Sequence, residues 1–389
     1  MGIGTVLVAV NLRAAITSLG AILDRVSAGL DLSGAEAGLL TTLPVVAFAA
    51  VGGLSPLLAR RLGLFGGLVV ACVALVVGLA ARAAAHSGGV MLAWSGLALA
   101  GIAVANVLLP VVVKSFFPHR LGLMTGLYTM AMQLGSAAAA GTTPLVAEAG
   151  GSWRSGLGLW ALVAACAVPP WLLALRGSAR PAPASRRRSV NGLARNPLAW
   201  ALAVFFGVQS LAAYVVMGWV PAIYRSTGVS SAMSGVLLAV IMALAAPIAL
   251  LLPTLANRLA DQRVLVLIVT VAMAFGWLGL MIAPVEGAWW WAVLLGIGSG
   301  AFPLALTLIG LRARSTEATT ALSAFAQSAG YMMAMVGPFA VGTMHEATGS
   351  WSLPLGVLIA LLVPQLFAGL AAGRNRSVDG GSPTGRASQ

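Results

Sequence analysis

Charge is the scarcest feature of this sequence. Only 8% of its 389 residues are Asp, Glu, Lys or Arg, whereas a water-soluble domain carries about a quarter. The hydrophobic fraction is 60% and the mean hydropathy is +0.98. Lipid is therefore its first expected partner, and the chain reads as an all-α integral membrane protein. Two cysteines, Cys72 and Cys166, lie in apolar runs and offer neither a disulfide framework nor a thiolate metal site. Asp, Glu and His are missing from the interior of every long apolar run, and no H-E-x-x-H or P-loop occurs. Paired acids, a nucleophile with its base, and metal ligands are thus all lacking. An enzyme is not expected, and no metal or cofactor is expected either. The first apolar run begins at once, without a basic n-region or a small-residue cleavage site, so no cleavable leader is expected.

What the sequence has instead is long apolar runs. About 20 apolar residues span the hydrocarbon layer. Twelve such stretches occur, at 3–23, 36–58, 64–82, 90–113, 122–146, 153–175, 198–224, 232–256, 264–283, 288–311, 318–343 and 351–372. The connections are short except RGSARPAPASRRRSVNGLARNP, which divides the runs six and six. The expected organisation is an N-terminal six-helix bundle (1–175), a basic cytoplasmic linker (176–197), a C-terminal six-helix bundle (198–373) and a disordered tail (374–389).

The net charge is +13, and 17 of the 22 basic residues fall on one set of connections that includes the linker and the tail. Arg25, Arg82, Arg154 and Arg225 fall on the other set, and Arg13 stands inside a run. Basic residues collect on the cytoplasmic side, so both termini are expected inside. The basic surplus is a topology signal facing anionic lipid heads, and no nucleic-acid partner is expected. Abundant Ala, Gly and Arg with a single lysine suggest a GC-rich bacterial source, hence a bacterial inner membrane.

The halves overlay at an offset near 195. PLLARRLG (56–63) matches PTLANRLA (253–260), Gln133 falls on Gln327, Pro144 on Pro338, and Gly101-Ile102 on Gly296-Ile297. Six spans per half make the repeat parallel. Parallel repeats with a midplane site between them are a transporter architecture.

Polar groups in a membrane are costly and default to function. Runs three, six, nine and twelve are almost bare of them. Asn11, Arg13, Asn106, Gln133, Gln209, Tyr214, Gln327 and Tyr331 concentrate in runs one, four, five, seven and eleven. Arg13 lies about 15 Å from either end of its run, too deep for its side chain to reach the headgroups. A central arginine costs about 2.5 to 3.5 kcal/mol on insertion. No carboxylate lies at that depth to pair with it, which leaves helix-end carbonyls or an anion with planar acceptors that suit its fork. Gln133, Gln209 and Gln327 lie at matching depth, as hydrogen-bond donors to a solute or as glue between helices. Thr17 shares the face of Arg13, one turn on. Asn11 lies about 200° round the helix and is expected to brace a neighbour. Lys114 ends its run at the inner surface. Pro44, Pro110, Pro247 and Pro303 are expected to permit bends.

NLRAAITSLG (11–20), LSGAEAGLLTTLPVVAFA (32–49), GIAVANVLLPVVVKSFFP (101–118), FFGVQSLAAYVVMGWVPAIY (205–224) and ALSAFAQSAGYMMAMVGP (321–338) together resemble the cyanate/nitroimidazole porter family of the major facilitator superfamily. The resemblance covers nearly the whole chain. It implies two bundles that rock in alternating access around a small, often anionic or planar solute. On this reading Arg13 orients the solute. Thr17, Asn106, Gln133, Gln209 and Gln327 add hydrogen bonds, with Tyr214, Trp219 and Tyr331 as an aromatic wall. Structural or gating roles fall to Asn11, Arg61, Lys114, Arg258 and Asp261. The superfamily usually carries an acid in the loop after span two. Here Ala59 stands there, and the second half places Asp261 late. The alternative is proton-linked efflux of small drugs. Proton coupling usually employs a membrane acid or histidine, and His86, His119 and His345 are all expected in loops. That points to uniport, anion exchange, or coupling through Asp24 or Glu36. The carrier is expected to be a monomer.

Overall fold

The computed structural model describes residues 1–51, 55–117, 121–176, 193–313 and 316–378. These form α1 (Gly2–Ala21), α2 (Leu23–Leu30), α3 (Gly34–Ala50), α4 (Ser55–Ala83), α5 (Gly88–Phe116), α6 (Leu121–Ala149), α7 (Trp153–Ala165) and α8 (Val168–Arg176) in the first half. The second half holds α9 (Pro197–Ser226), α10 (Ser231–Arg258), α11 (Arg263–Ile282), α12 (Ala288–Gly298), α13 (Ala301–Leu311), α14 (Thr316–Ala334), α15 (Val336–Thr348) and α16 (Ser352–Gly373). Most of the basic linker and residues 379–389 of the tail lie outside the described residues.

Each expected run is found as a helix or a helix pair, giving twelve crossings in two six-helix bundles. Runs six, ten and eleven are each broken in two, and prolines lie just beyond each break. Pro169 and Pro170 follow the end of α7, Pro303 follows the end of α12, and Pro338 follows the end of α14. A proline donates no N–H, and its ring collides with the carbonyl four residues back. Of the four expected bends only Pro303 sits at a break. Pro44, Pro110 and Pro247 lie within α3, α5 and α10, which run on as continuous helices. The connection expected at ARRLG is instead the first turns of α4, interrupted at Gly63, whose φ of 77° favours glycine. Starts are capped from the sequence: Ser33 and Glu36 form a capping box on α3, and Asn196 caps α9.

Between helices in lipid the driving force is close packing, not the hydrophobic effect. Small residues mark the contacts accordingly. A Cβ on Gly135 of α6 would meet the Val10 carbonyl of α1 at 2.1 Å, and one on Gly101 of α5 would meet the Ala71 carbonyl of α4 at 2.4 Å. Leu162 and Ile282, both 70% exposed, and Phe367 at 68% cover the outside. An apolar surface of that kind belongs in lipid.

Counting crossings, the N-terminus, the end of α8 and the start of α9 share one face, here the linker face. α2 marks the opposite, far face. Several polar and close-packed contacts between the halves lie there. Arg225 of α9 pairs with Asp24 of α2 at 2.6 Å and donates to the Ala21 carbonyl at 2.8 Å. Glu346 of α15 accepts from the Ala35 N–H in the first turn of α3 at 3.1 Å, where the helix dipole favours an anion. Gly34, Gly38 and Gly342 let α3 and α15 touch backbone to backbone. The far face is closed.

Several arginines placed in loops by sequence are buried anchors. Arg312 is 2% exposed. Its Nε donates to the Ala372 carbonyl at 2.7 Å, and Nη2 donates to the Gly373 carbonyl at 3.0 Å and to Gln262 Oε1. It thus ties the end of α13 to the last carbonyls of α16, which have no partner within their own helix. Arg312→Ala strands those acceptors and is expected to cost about 3 kcal/mol of stability. Thermal unfolding in detergent measures this, and an unchanged transition would refute the anchor.

Candidate functional site

Arg13 lies near the middle of α1 and is half-buried. Its Nη1 donates to Gln133 Oε1 on α6 at 2.9 Å. The guanidinium lies over the Phe302 ring of α13, 5.0 Å from its centroid. A cation over an aromatic face is stabilised by the ring quadrupole. Tyr214 of α9 and Tyr331 of α14 are within electrostatic range of it. Tyr331 in turn stacks on Phe48 of α3 at 5.9 Å and meets Phe206 of α9 edge-on at 5.1 Å. Phe206 also lies 6.0 Å from Phe302. A first-half arginine is thus held by a first-half glutamine and roofed by second-half aromatics. None of the ion pairs among the described residues involves Arg13.

The structure brings Arg13, Gln133, Tyr214 and Tyr331 together and sends the other expected residues elsewhere. Gln209 is buried and spends its amide on the Phe206 carbonyl and the Ser210 hydroxyl. Gln327 donates to Ser323 on its own helix at 2.6 Å. Thr17 is fully buried, donating to the Arg13 carbonyl at 3.0 Å and accepting from Ser136 at 3.2 Å. It joins α1 to α6 and spends its hydroxyl there. Thr17→Val is therefore expected to cost about 1 kcal/mol of stability and to leave solute affinity unchanged. Parallel melting and binding measurements check this, and a selective affinity loss would return Thr17 to the site.

Asn106 stands on an exposed stripe of α5 with Val107, Pro110 and Val111 and makes no hydrogen bond to Arg13. Trp219 belongs to the far-face closure. Its Nε1 donates to the Pro338 carbonyl at 3.1 Å, and its ring meets Trp351 at 5.7 Å. Trp351 stacks on His345, which lies within α15 and not in a loop. Asn11 donates to the Leu7 carbonyl of its own helix at 2.9 Å, so it braces no neighbour through that bond.

On the linker face, Arg61 and Arg258 are exposed helix residues. Asp261 pairs locally with Arg263 at 3.3 Å and accepts from its backbone N–H at 2.9 Å. The expected gating acid is a turn residue, and its neutral neighbour Gln262 takes the buried arginine, Arg312. The Lys114 side chain lies outside the described residues. Glu36 is committed to the α3 cap and Asp24 to Arg225.

Phe48, Phe206 and Phe302 escaped sequence reasoning. A phenylalanine in an apolar run has no contrast with its surroundings. The one usable signal was that Phe302 immediately precedes Pro303, where run ten bends.

A half-buried arginine between two six-helix bundles, with the far face shut, is the geometry of a carrier. The Major Facilitator Superfamily model matches residues 1–373. The chain belongs to the Major Facilitator Superfamily. The 2-nitroimidazole transporter of Escherichia coli (strain K12) is 38% identical over 382 residues, covering 96% of this chain and 95% of the relative. The cyanate transport protein CynX of the same organism is 29% identical over 349 residues, covering 89% and 90%. Among solved structures, a bacterial homolog of the human lysosomal transporter Spinster, in an inward-facing and occupied conformation, aligns with a TM-score of 0.77. It is 15% identical and is covered over 95% of both chains. The protein is a multi-pass membrane transporter of this superfamily and not an enzyme.

Proposed function

We propose that this superfamily member moves a small anionic or planar polar solute across the bacterial inner membrane by alternating access. Import and export use the same site, and the carrier is secondary active or facilitative. The observation that supports this is the Arg13 site itself. A guanidinium fixed by Gln133 and Phe302 presents its remaining donors to a planar acceptor. The aromatic surfaces of Tyr214, Tyr331 and Phe302 accept a flat solute. Because Arg13 comes from one half and the aromatics from the other, a bound solute touches both. Rocking of the halves then exposes it to one face at a time. With the basic linker in the cytoplasm, the closed far face is the outer one. One chain carries both halves, so a monomer is a complete carrier. The domain limits proposed are 1–175, 198–373, a cytoplasmic linker between them, and a tail from 374. Asp24 and Glu36, the carboxylates available for proton coupling, are tied up in an ion pair and a helix cap, which favours anion exchange or uniport over proton-linked efflux of drugs.

The test is counterflow in liposomes with cyanate, nitrate, bicarbonate, small carboxylates and 2-nitroimidazole. At least one solute is expected to exchange saturably. Exchange of none of them, or an ohmic current in place of exchange, would remove this reading.

A further inference from the structure

Arg13 is a midplane charge with no acid to balance it. None of the nine acidic residues of the chain lies in the interior of a span, and none of the ion pairs among the described residues includes Arg13. The other buried arginines are provided for. Arg82 of α4, 1% exposed, donates to the Ala15 carbonyl at 2.9 Å and to Ser18 Oγ at 3.0 Å. Arg312 has two carbonyls and Gln262, and Arg225 has Asp24. Arg13 has a single hydrogen-bond acceptor among the described residues, Gln133 Oε1, for a group with several N–H donors. Phe302, Tyr214 and Tyr331 bring ring faces and hydroxyls to it but no carboxylate.

Alternating access turns this imbalance into a constraint. Between its two open states a carrier passes through one in which both faces are shut. The guanidinium then loses its remaining water, and an uncompensated cation in a dry site within the membrane is costly. A bound monoanion cancels the charge and occupies the free donors. A neutral solute leaves the positive charge in place, and a dianion leaves a negative one. We infer, on the reading of Arg13 as the charge that meets the solute, that the carrier is an obligatory exchanger of monovalent anions. Only the loaded form, neutral at the midplane, crosses between the open states. The empty form stays on the side where it released its anion until another binds. Uniport is thereby excluded, and each anion that enters is matched by one that leaves.

The test is uptake of labelled cyanate, nitrate or a small carboxylate, whichever shows counterflow, into liposomes. The liposomes hold the same unlabelled anion, gluconate or sulfate. Potassium and valinomycin clamp the membrane potential at zero, so that charge build-up does not limit net flux. Uptake against the matching anion is expected to be at least about tenfold faster than against gluconate or sulfate, since a tenfold ratio needs only about 1.4 kcal/mol of extra barrier for the empty form. In Arg13→Gln the ratio should fall toward one, because the empty form no longer carries the charge. Arg13→Lys should keep the ratio of the wild type. A merely structural Arg13 would change the amount of active protein but not this ratio. Equal rates into gluconate and anion-loaded liposomes would overturn obligatory exchange while leaving Arg13 as the solute site. Sulfate serving as well as the matching anion would overturn the limit to monoanions, and an unchanged ratio in Arg13→Gln would overturn the role of its charge. Counterflow of no anion at all would remove the solute site itself, and obligatory exchange with it. The wild-type comparison decides the matter even if a variant fails to fold.

Discussion

Arg13→Gln is expected to weaken binding of an exchanged anionic solute by about 10- to 100-fold. A hydrogen bond to a charged group contributes about 1.5–3 kcal/mol, and each 1.4 kcal/mol is tenfold in affinity. Counterflow of that solute should fall accordingly, while the variant keeps or gains thermal stability, because a membrane cation has been removed. Arg13→Lys should lie between, since it keeps the charge but loses the planar fork. Melting with and without solute separates the outcomes. If the variant is destabilised with every solute and without any, and the folded fraction still binds normally, Arg13 is a strut between α1 and α6. Its bond to Gln133 would then be its whole role.

Gly20→Ala is expected to hold the far face open. Gly20 of α1 faces α9, and a Cβ there would lie 1.8 Å from the Met217 carbonyl oxygen and 3.0 Å from Gly218 Cα. Both contacts are backbone, so no rotamer change relieves them, and the two helices must separate. Packed contacts are bistable, not continuously deformable, so one methyl group moves the whole closure. Transport should drop at least about tenfold while solute binding survives, because a carrier trapped on one side binds but does not cycle. A Thr41→Cys reporter, made in a background lacking Cys72 and Cys166, should label much faster with an impermeant maleimide in the Gly20→Ala protein. Wild-type exchange together with unchanged labelling would show that α1 and α9 need not touch in any working state. Asp24→Asn should shift labelling in the same direction by less, because the Asp24 carboxylate is 41% exposed and its pairing with Arg225 is partly screened.

Much of the architecture is legible in one dimension. A run's length against the bilayer gives the number of crossings, and the position of Arg13 within its run gives its depth. Three of the runs were broken where prolines follow, yet Pro44, Pro110 and Pro247 stand inside continuous helices, so proline alone does not tell a broken run from an unbroken one. The three glutamines show where this stops. Gln133, Gln209 and Gln327 are alike in type and depth, yet only Gln133 reaches Arg13, across 120 residues of chain. Gln209 and Gln327 turn back on their own helices. Nothing local distinguishes them, because the difference is in how each helix is rotated about its axis. Trp219 and Thr17 depend on the same rotation: Trp219 donates to the Pro338 carbonyl, and Thr17 accepts from Ser136.

Sequence by itself determined that this protein lives in lipid, crosses it twelve times, keeps its acids out of the middle and leaves one arginine there. Those properties depend on composition and length against a slab of fixed thickness. The tertiary structure decided who meets whom. It put Phe302 over Arg13, buried Arg82 against Ser18, and closed the far face with Arg225 and Gly20. Helices that are apolar all round carry no stripe to say which side faces the core. In lipid that choice passes to close packing and to the few polar groups that find partners, and both exist only once the helices have come together.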